Sequence, residues 1–263
     1  MSKFFLHLVM KDRFAAFLLL LLPFHLDAQS SDTTIRNVRI SFAFSKNIFP
    51  KEWRDEPIDA TASQMDRREI PRSKRIITKA LNKYPVFIFK KNLRSVFFLK
   101  EMKFFNVGYG GTNSENAVYI TNRGNSEGYT DKYLEQTFHH EFSSILYRNY
   151  IDLFDTLSWK EANSPDFSYN DPENGVGAIR SNQSSQTLDT FFCEKGILTQ
   201  YAGSGIENDV NTFAQNLFRP EKNFWKFVDR FPRIRKKTEI LINFYHRLSP
   251  IYTETYFRKL SKK

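Results

Sequence analysis

The chain has 263 residues, 41% hydrophobic and 26% charged, a balance that excludes a largely disordered protein and a length that suits one sizeable domain or two small ones with a real core. The formal net charge is +10, but the bases are scattered among acids ("DRREIPRSKR", "FPRIRKK") and no nucleic-acid-binding motif accompanies them, so nucleic acid is not an expected partner. Cys193 is the single cysteine, which excludes an internal disulfide; the fold must rest on packing, and the 27 Phe residues, spread without a repeat, read as core filling.

In chain order, the first segment reads as a leader. "MKDRFAAFLLLLLPFHLDAQS" begins at Met10 with Lys11 and Arg13, continues with an apolar run from Phe14 to Phe24, and leaves through a polar exit near Ala28. Basic start, apolar middle and small residue before the cut are the parts of a secretory signal peptide. The expected division is therefore a signal peptide over 1–28 and one domain over 29–263, exported to the periplasm or outside the cell. The apolar run is short for a membrane span, so no transmembrane helix is expected once the leader is removed; a retained anchor is the alternative. Met10 is an alternative start.

Residues 29–36 are polar and read as a flexible terminus. "VRISFAF" alternates and predicts a strand. Residues 50–70, with Pro50, Pro57 and many charges, read as a loop. Pro71 suits the start of a helix, and "SKRIITKALNKY" puts Ile76, Ile77, Ala80, Leu81 and Tyr84 at helical spacing, with Pro85 as the stop. "SVFFLKEMKFF" is β-prone, "NVGYGGTNSE" is a Gly-rich turn and "NAVYITN" a second strand. A helix over about 130–150 follows, with Thr130 and Asp131 as caps. The next thirty or so residues, "LSWKEANSPDFSYNDPENGVGAIRSNQSSQ", read as a polar loop. "DVNTFAQNLF" has helical spacing, and 221–260 predicts two or three helices broken at Pro232 and Pro250. The order is α+β: a small mixed sheet, one prominent helix, and a helical C-terminal part from about 206.

The chemistry lies in "TFHHEFSSILYRNY", residues 137–150. In the zinc-peptidase pattern H-E-x-x-H, two histidines four apart on one helix face hold the metal, and the Glu beside the first acts as general base on the zinc-bound water. His140 and Glu141 fit the first two positions; the second histidine is replaced by Ser144. Leu134, Phe138, Phe142 and Ile145 make an apolar stripe, which leaves His140, Glu141, Ser144 and Arg148 on another face. His139 lies about 100° around the helix from His140 and is no direct substitute. A serine hydroxyl is a poor zinc ligand beside imidazole, carboxylate or thiolate. Cys193 reads as buried and inert, His246 as structural, and "GYGG" lacks the Lys and Ser/Thr of a phosphate loop.

The order of elements resembles a family of exported bacterial zinc-binding metallopeptidases of the gluzincin type. The resemblance is carried by "FNVGYGGTNSENAVYI", "TFHHEFSSIL", "ANSPDFSYND", "KGILTQYAGSG" and "ENDVNTFAQNLF", over roughly residues 95–220. It implies a zincin-like fold, zinc as cofactor, a peptide or protein substrate, and a third ligand from the acidic helix, Glu207 first and Asp209 second. Two departures stand out: Ser144 in place of the second histidine, and "F-A-Q" at Phe213, Ala214 and Gln215 where the family often has "F-A-E". Three arrangements follow. Zinc is held by His140, Glu207 or Asp209 and waters, with Ser144 bonding one of those waters; or His139 or His246 is recruited; or the scaffold persists without metal. The two functional readings are a zinc-dependent hydrolase with Glu141 as its base, weakened by Ser144, and a non-catalytic pseudo-peptidase acting as an exported binding or surface-associated protein.

Overall fold

The structure, a computed structural model, describes residues 32–45, 47–170 and 175–261. The leader expected over 1–28 lies outside the described residues. Among the described residues, no helix is long and apolar enough to cross a membrane.

The polar stretch expected to be flexible instead begins the main sheet. β1 (Thr33–Ile35) folds back on β2 (Val38–Ser41) through Arg36 and Asn37, both at positive φ (52° and 67°). Two left-handed residues in a two-residue loop match the twist of the flanking strands, and Asn tolerates that conformation well. The segment 50–70, expected as a loop, carries short 3-10 turns at Lys51–Trp53 and Arg67–Glu69 and a strand, β3 (Thr61–Ser63). α1 (Ile70–Leu81) has Pro71 in its first turn and buries Ile76, Ile77, Ala80 and Leu81. Pro85 then precedes a second helix, α2 (Val86–Asn92), which buries Ile88 and Phe89.

"SVFFLKEMKFF" splits at Lys100 into β4 (Ser95–Leu99) and β5 (Glu101–Phe104), which belong to different sheets. The Gly-rich segment read as a turn contains β6 (Val107–Gly108) and β7 (Gly111–Asn113), followed by β8 (Ala117–Thr121). The main sheet has the order β1-β2-β4-β8-β7; β2, β4 and β8 are parallel, and the edges β1 and β7 are antiparallel to their neighbours. All five residues of β8 are buried, as expected of a central strand covered on both faces. The small sheet β3-β5-β6 closes over Phe49, Leu99, Met102, Phe104 and Tyr119.

α3 (Asp131–Asn149) is capped by the Thr130 hydroxyl, which accepts from the Tyr133 N–H. Leu134, Phe138, Phe142 and Ile145 are at most 1% exposed and point into the main core. The expected polar loop after α3 holds α4 (Thr156–Glu161), which buries Trp159, and α5 (Val176–Arg180). Then come α6 (Thr190–Lys195), α7 (Ile206–Phe218), α8 (Phe224–Arg230), α9 (Pro232–Leu248) and α10 (Glu254–Leu260), with breaks at Pro232 and at Ser249–Pro250 as the prolines predict. α3 lies between the β7–β8 side of the sheet and α7, and this sandwich builds the site.

Candidate active site

Two ladders of side chains face each other between α3 and α7. On α3, His140, Ser144 and Arg148 recur every four residues; on α7, Glu207, Asn211 and Gln215 do the same. That spacing keeps each set on one face of its helix. The ladders run in opposite directions, so His140 meets Gln215 at one end and Ser144 and Arg148 meet Glu207 at the other.

His140 bonds the Gln215 side chain through Nδ1, 2.9 Å from Oε1. The Gln215 amide nitrogen donates in turn to Gln186 Oε1 at 3.2 Å, which leaves Oε1 as the acceptor for His140. The proton therefore sits on Nδ1, and Nε2 keeps its lone pair. Burial pushes the His140 pKa below the usual range, against the opposing pull of Gln215 and Glu207, so the ring is neutral at pH 7.

Glu141 is buried beside the edge strand. Asn113 on β7 donates its amide N–H to Glu141 Oε2 at 2.7 Å. Burial raises the carboxyl from 4.5 to about 7; the Asn113 bond lowers it, and the Glu207 charge adds a smaller push upward. β7 reaches α3 this closely because of Gly111. A Cβ there would sit 2.5 Å from Thr137 Cγ2 and 2.6 Å from Glu141 Oε1. The "GG" of the sequence is thus a close approach of strand to helix, as well as a turn.

At the third position Ser144 donates its hydroxyl proton to Glu207 Oε1. Arg148 Nη1 donates to the same Glu207 oxygen at 2.8 Å and to Ser144 Oγ at 2.7 Å. Its other nitrogen, Nη2, bonds Asn113 Oδ1 and the Ser114 carbonyl. Asn211, between the two ends of its ladder, is 2% exposed, and its Oδ1 is buried without a partner among the described residues.

The two acidic candidates on α7 separate cleanly. Glu207 faces Ser144. Asp209 lies two residues on, about 200° around the helix, and is committed elsewhere: its Oδ2 accepts from Trp159 Nε1 (2.9 Å), Tyr169 OH (2.6 Å) and Lys237 Nζ (2.5 Å). Burial pushes Asp209 up and Lys237 down, and each draws the other back towards its charged form. His139 is likewise out of reach. It is fully buried, stacked on Phe218 (centroids 5.0 Å apart), with Nδ1 2.9 Å from Tyr84 OH. His246 on α9 bonds the Tyr252 carbonyl. Cys193 is buried, and burial pushes its thiol up to about 12.

His140 and Glu141 open on a cavity of about 750 Å³, also lined by Gly111, Thr137, Tyr201 and Gln215. Its donor set does not suit zinc. Protein zinc sites draw on at least three imidazole, thiolate or carboxylate ligands. Here one imidazole remains, an alcohol takes the second place, and the carboxylate already carries a guanidinium. Among the described residues, no group of three or more His, Cys, Asp or Glu side chains is arranged to hold a metal ion.

Asn113, Arg148, Asn211 and Gln215 escaped selection from sequence as site residues. For three of them the signal is the four-residue spacing, shared by the "HHEF" helix and the acidic helix. Asn113 had none, because it sits in the segment read as a turn.

Among solved structures, the chain is similar to a crystal structure from Bacteroides caccae described as a "putative zinc-binding metallo-peptidase", with a TM-score of 0.55 and 14% sequence identity over 86% of this chain and 85% of that one. At that identity the likeness is one of fold. The chain has an α+β, zincin-like architecture: a small mixed sheet, the site helix α3 and a helical C-terminal part. No family model matches the chain. No curated protein matches it.

Proposed function

We propose that this chain uses a metallopeptidase-like fold to bind extended peptides without zinc and without cutting them. One observation carries the reading: the Glu207 carboxylate is satisfied by Ser144 and Arg148, in the place where a ligand for metal would be needed. Among the described residues, β7 pairs with β8 alone, so its second edge has no strand beside it. An extended peptide added at that edge would gain main-chain hydrogen bonds, and the neighbouring cavity would take a side chain. His140 Nε2 offers an acceptor to a peptide N–H. Glu141, with a pKa near 7, offers either a donor or an acceptor according to pH. The leader-like pattern of residues 10–28 supports an exported protein, in the periplasm or outside the cell.

A weakened zinc hydrolase is the competing reading, favoured by that same Glu141 pKa, which suits a general base at neutral pH. Screening the protein against a library of extended peptides, with chelator and then with zinc, separates the two. Binding that persists in chelator, with peptides recovered intact after zinc addition, is the expected result. Zinc-dependent cleavage abolished by Glu141→Gln would replace this reading with the hydrolase.

A further inference from the structure

Arg148 is the charged side chain on the site face of α3 that the peptidase pattern does not account for. Its guanidinium touches all three walls of the cleft: Ser144 on α3, Glu207 on α7, and Asn113 and Ser114 at the end of β7. Its ion pair with Glu207 is 2.8 Å long. Arg148 also fixes the Asn113 amide. Because Asn113 Oδ1 accepts from Arg148, its amide nitrogen is turned toward Glu141 Oε2. A fixed, planar fork of donors suits this bridging better than a lysine ammonium would.

We propose that Arg148 is the built-in cation of this cleft: it supplies the positive charge at Glu207 that a metal would otherwise bring, orders β7 against α3 and α7, and keeps divalent metal out. The inference deepens the metal-independent reading above, but peptide binding is not its readout, so the two fail separately. On this account Ser144→His alone does not make a zinc site, because the guanidinium still holds Glu207 and repels a second cation. Removing Arg148 as well releases the carboxylate.

The test is a calorimetric zinc titration of the purified full chain as wild type, Ser144→His, Arg148→Ala and the double variant Ser144→His/Arg148→Ala. The double variant is expected to bind one zinc about 10-fold more tightly than Ser144→His, the scale of removing one positive charge, 40% exposed and so partly screened, from beside the metal. Equal affinity in Ser144→His and the double variant would overturn the proposal. A second measurement serves if the double variant does not fold: thermal melting of Arg148→Met, Glu207→Gln and the two combined. Strong coupling, with the double variant losing less than the sum of the single losses, is expected of a counter-ion pair. Simple additivity would show that Arg148 is not the counter-ion of Glu207 and would overturn the proposal.

Discussion

Gln215 holds His140 through Nδ1 at 2.9 Å, and this one bond sets which ring nitrogen faces the cavity. The pair occupies the end of the α3–α7 interface opposite Arg148 and Glu207, and burial keeps its imidazole neutral. Replacing the amide with a carboxylate reverses that preference. In Gln215→Glu the opposite charge favours the imidazolium, and the His140 pKa should rise. Ring-proton chemical shifts followed across pH measure it; an unchanged His140 titration would mean that the two groups do not bond in solution.

Glu141 makes stability depend on pH. Its pKa is about 7 in the folded chain against 4.5 for the free group, so the folded state holds this proton more tightly than the unfolded one. The associated stability is complete below about pH 4.5 and is lost as pH rises through 7, a swing on the order of 3 kcal/mol. Glu141→Gln should remove that component and be more stable than the parent at pH 8. Urea unfolding at pH 5 and pH 8 tests this. A Gln variant with an undiminished pH slope would refute it.

Gly111 is the point where strand and helix come closest. Gly111→Ala places a methyl against Thr137 and Glu141, and overpacking of this kind costs about 1–3 kcal/mol. Thermal melting reads the loss. A Cβ added at Gly108 would meet nothing within 4 Å, so Gly108→Ala serves as the control and should melt close to the parent.

Asp209 and Lys237 form a fully buried ion pair. Lys237→Met leaves the Asp209 carboxylate uncompensated, at a cost of about 3–5 kcal/mol, whereas Asp209→Asn/Lys237→Met combined, which keeps an acceptor for Trp159 and Tyr169, should recover much of that loss. Denaturant midpoints of the single and double variants measure the difference.

The parts of this molecule legible in sequence are those with a long period or a cap. α3 is marked by Thr130 and by the stripe Leu134, Phe138, Phe142 and Ile145; α1 by Pro71; the breaks in the last helices by Pro232 and Pro250. β1, β3, β6 and β7 have three residues or fewer, too short to establish an alternation. α2 carries the β-prone "VFIF" with no helical repeat long enough to mark it, and it is helical with Ile88 and Phe89 buried. At the site, His140, Glu141 and Ser144 stand out because they fall on a known pattern. The choice between Glu207 and Asp209 depends on which face of α7 meets α3, and that is a tertiary fact. Arg148 is visible on the right face of its helix, but its role emerges only once α7 and β7 are brought beside it.

The most direct test of the central claim is zinc titration of the chelator-stripped wild-type protein, read by calorimetry together with metal analysis after dialysis. The account predicts no saturable one-to-one site at micromolar zinc and no metal retained. A one-to-one site that disappears in both His140→Ala and Glu207→Ala would contradict it.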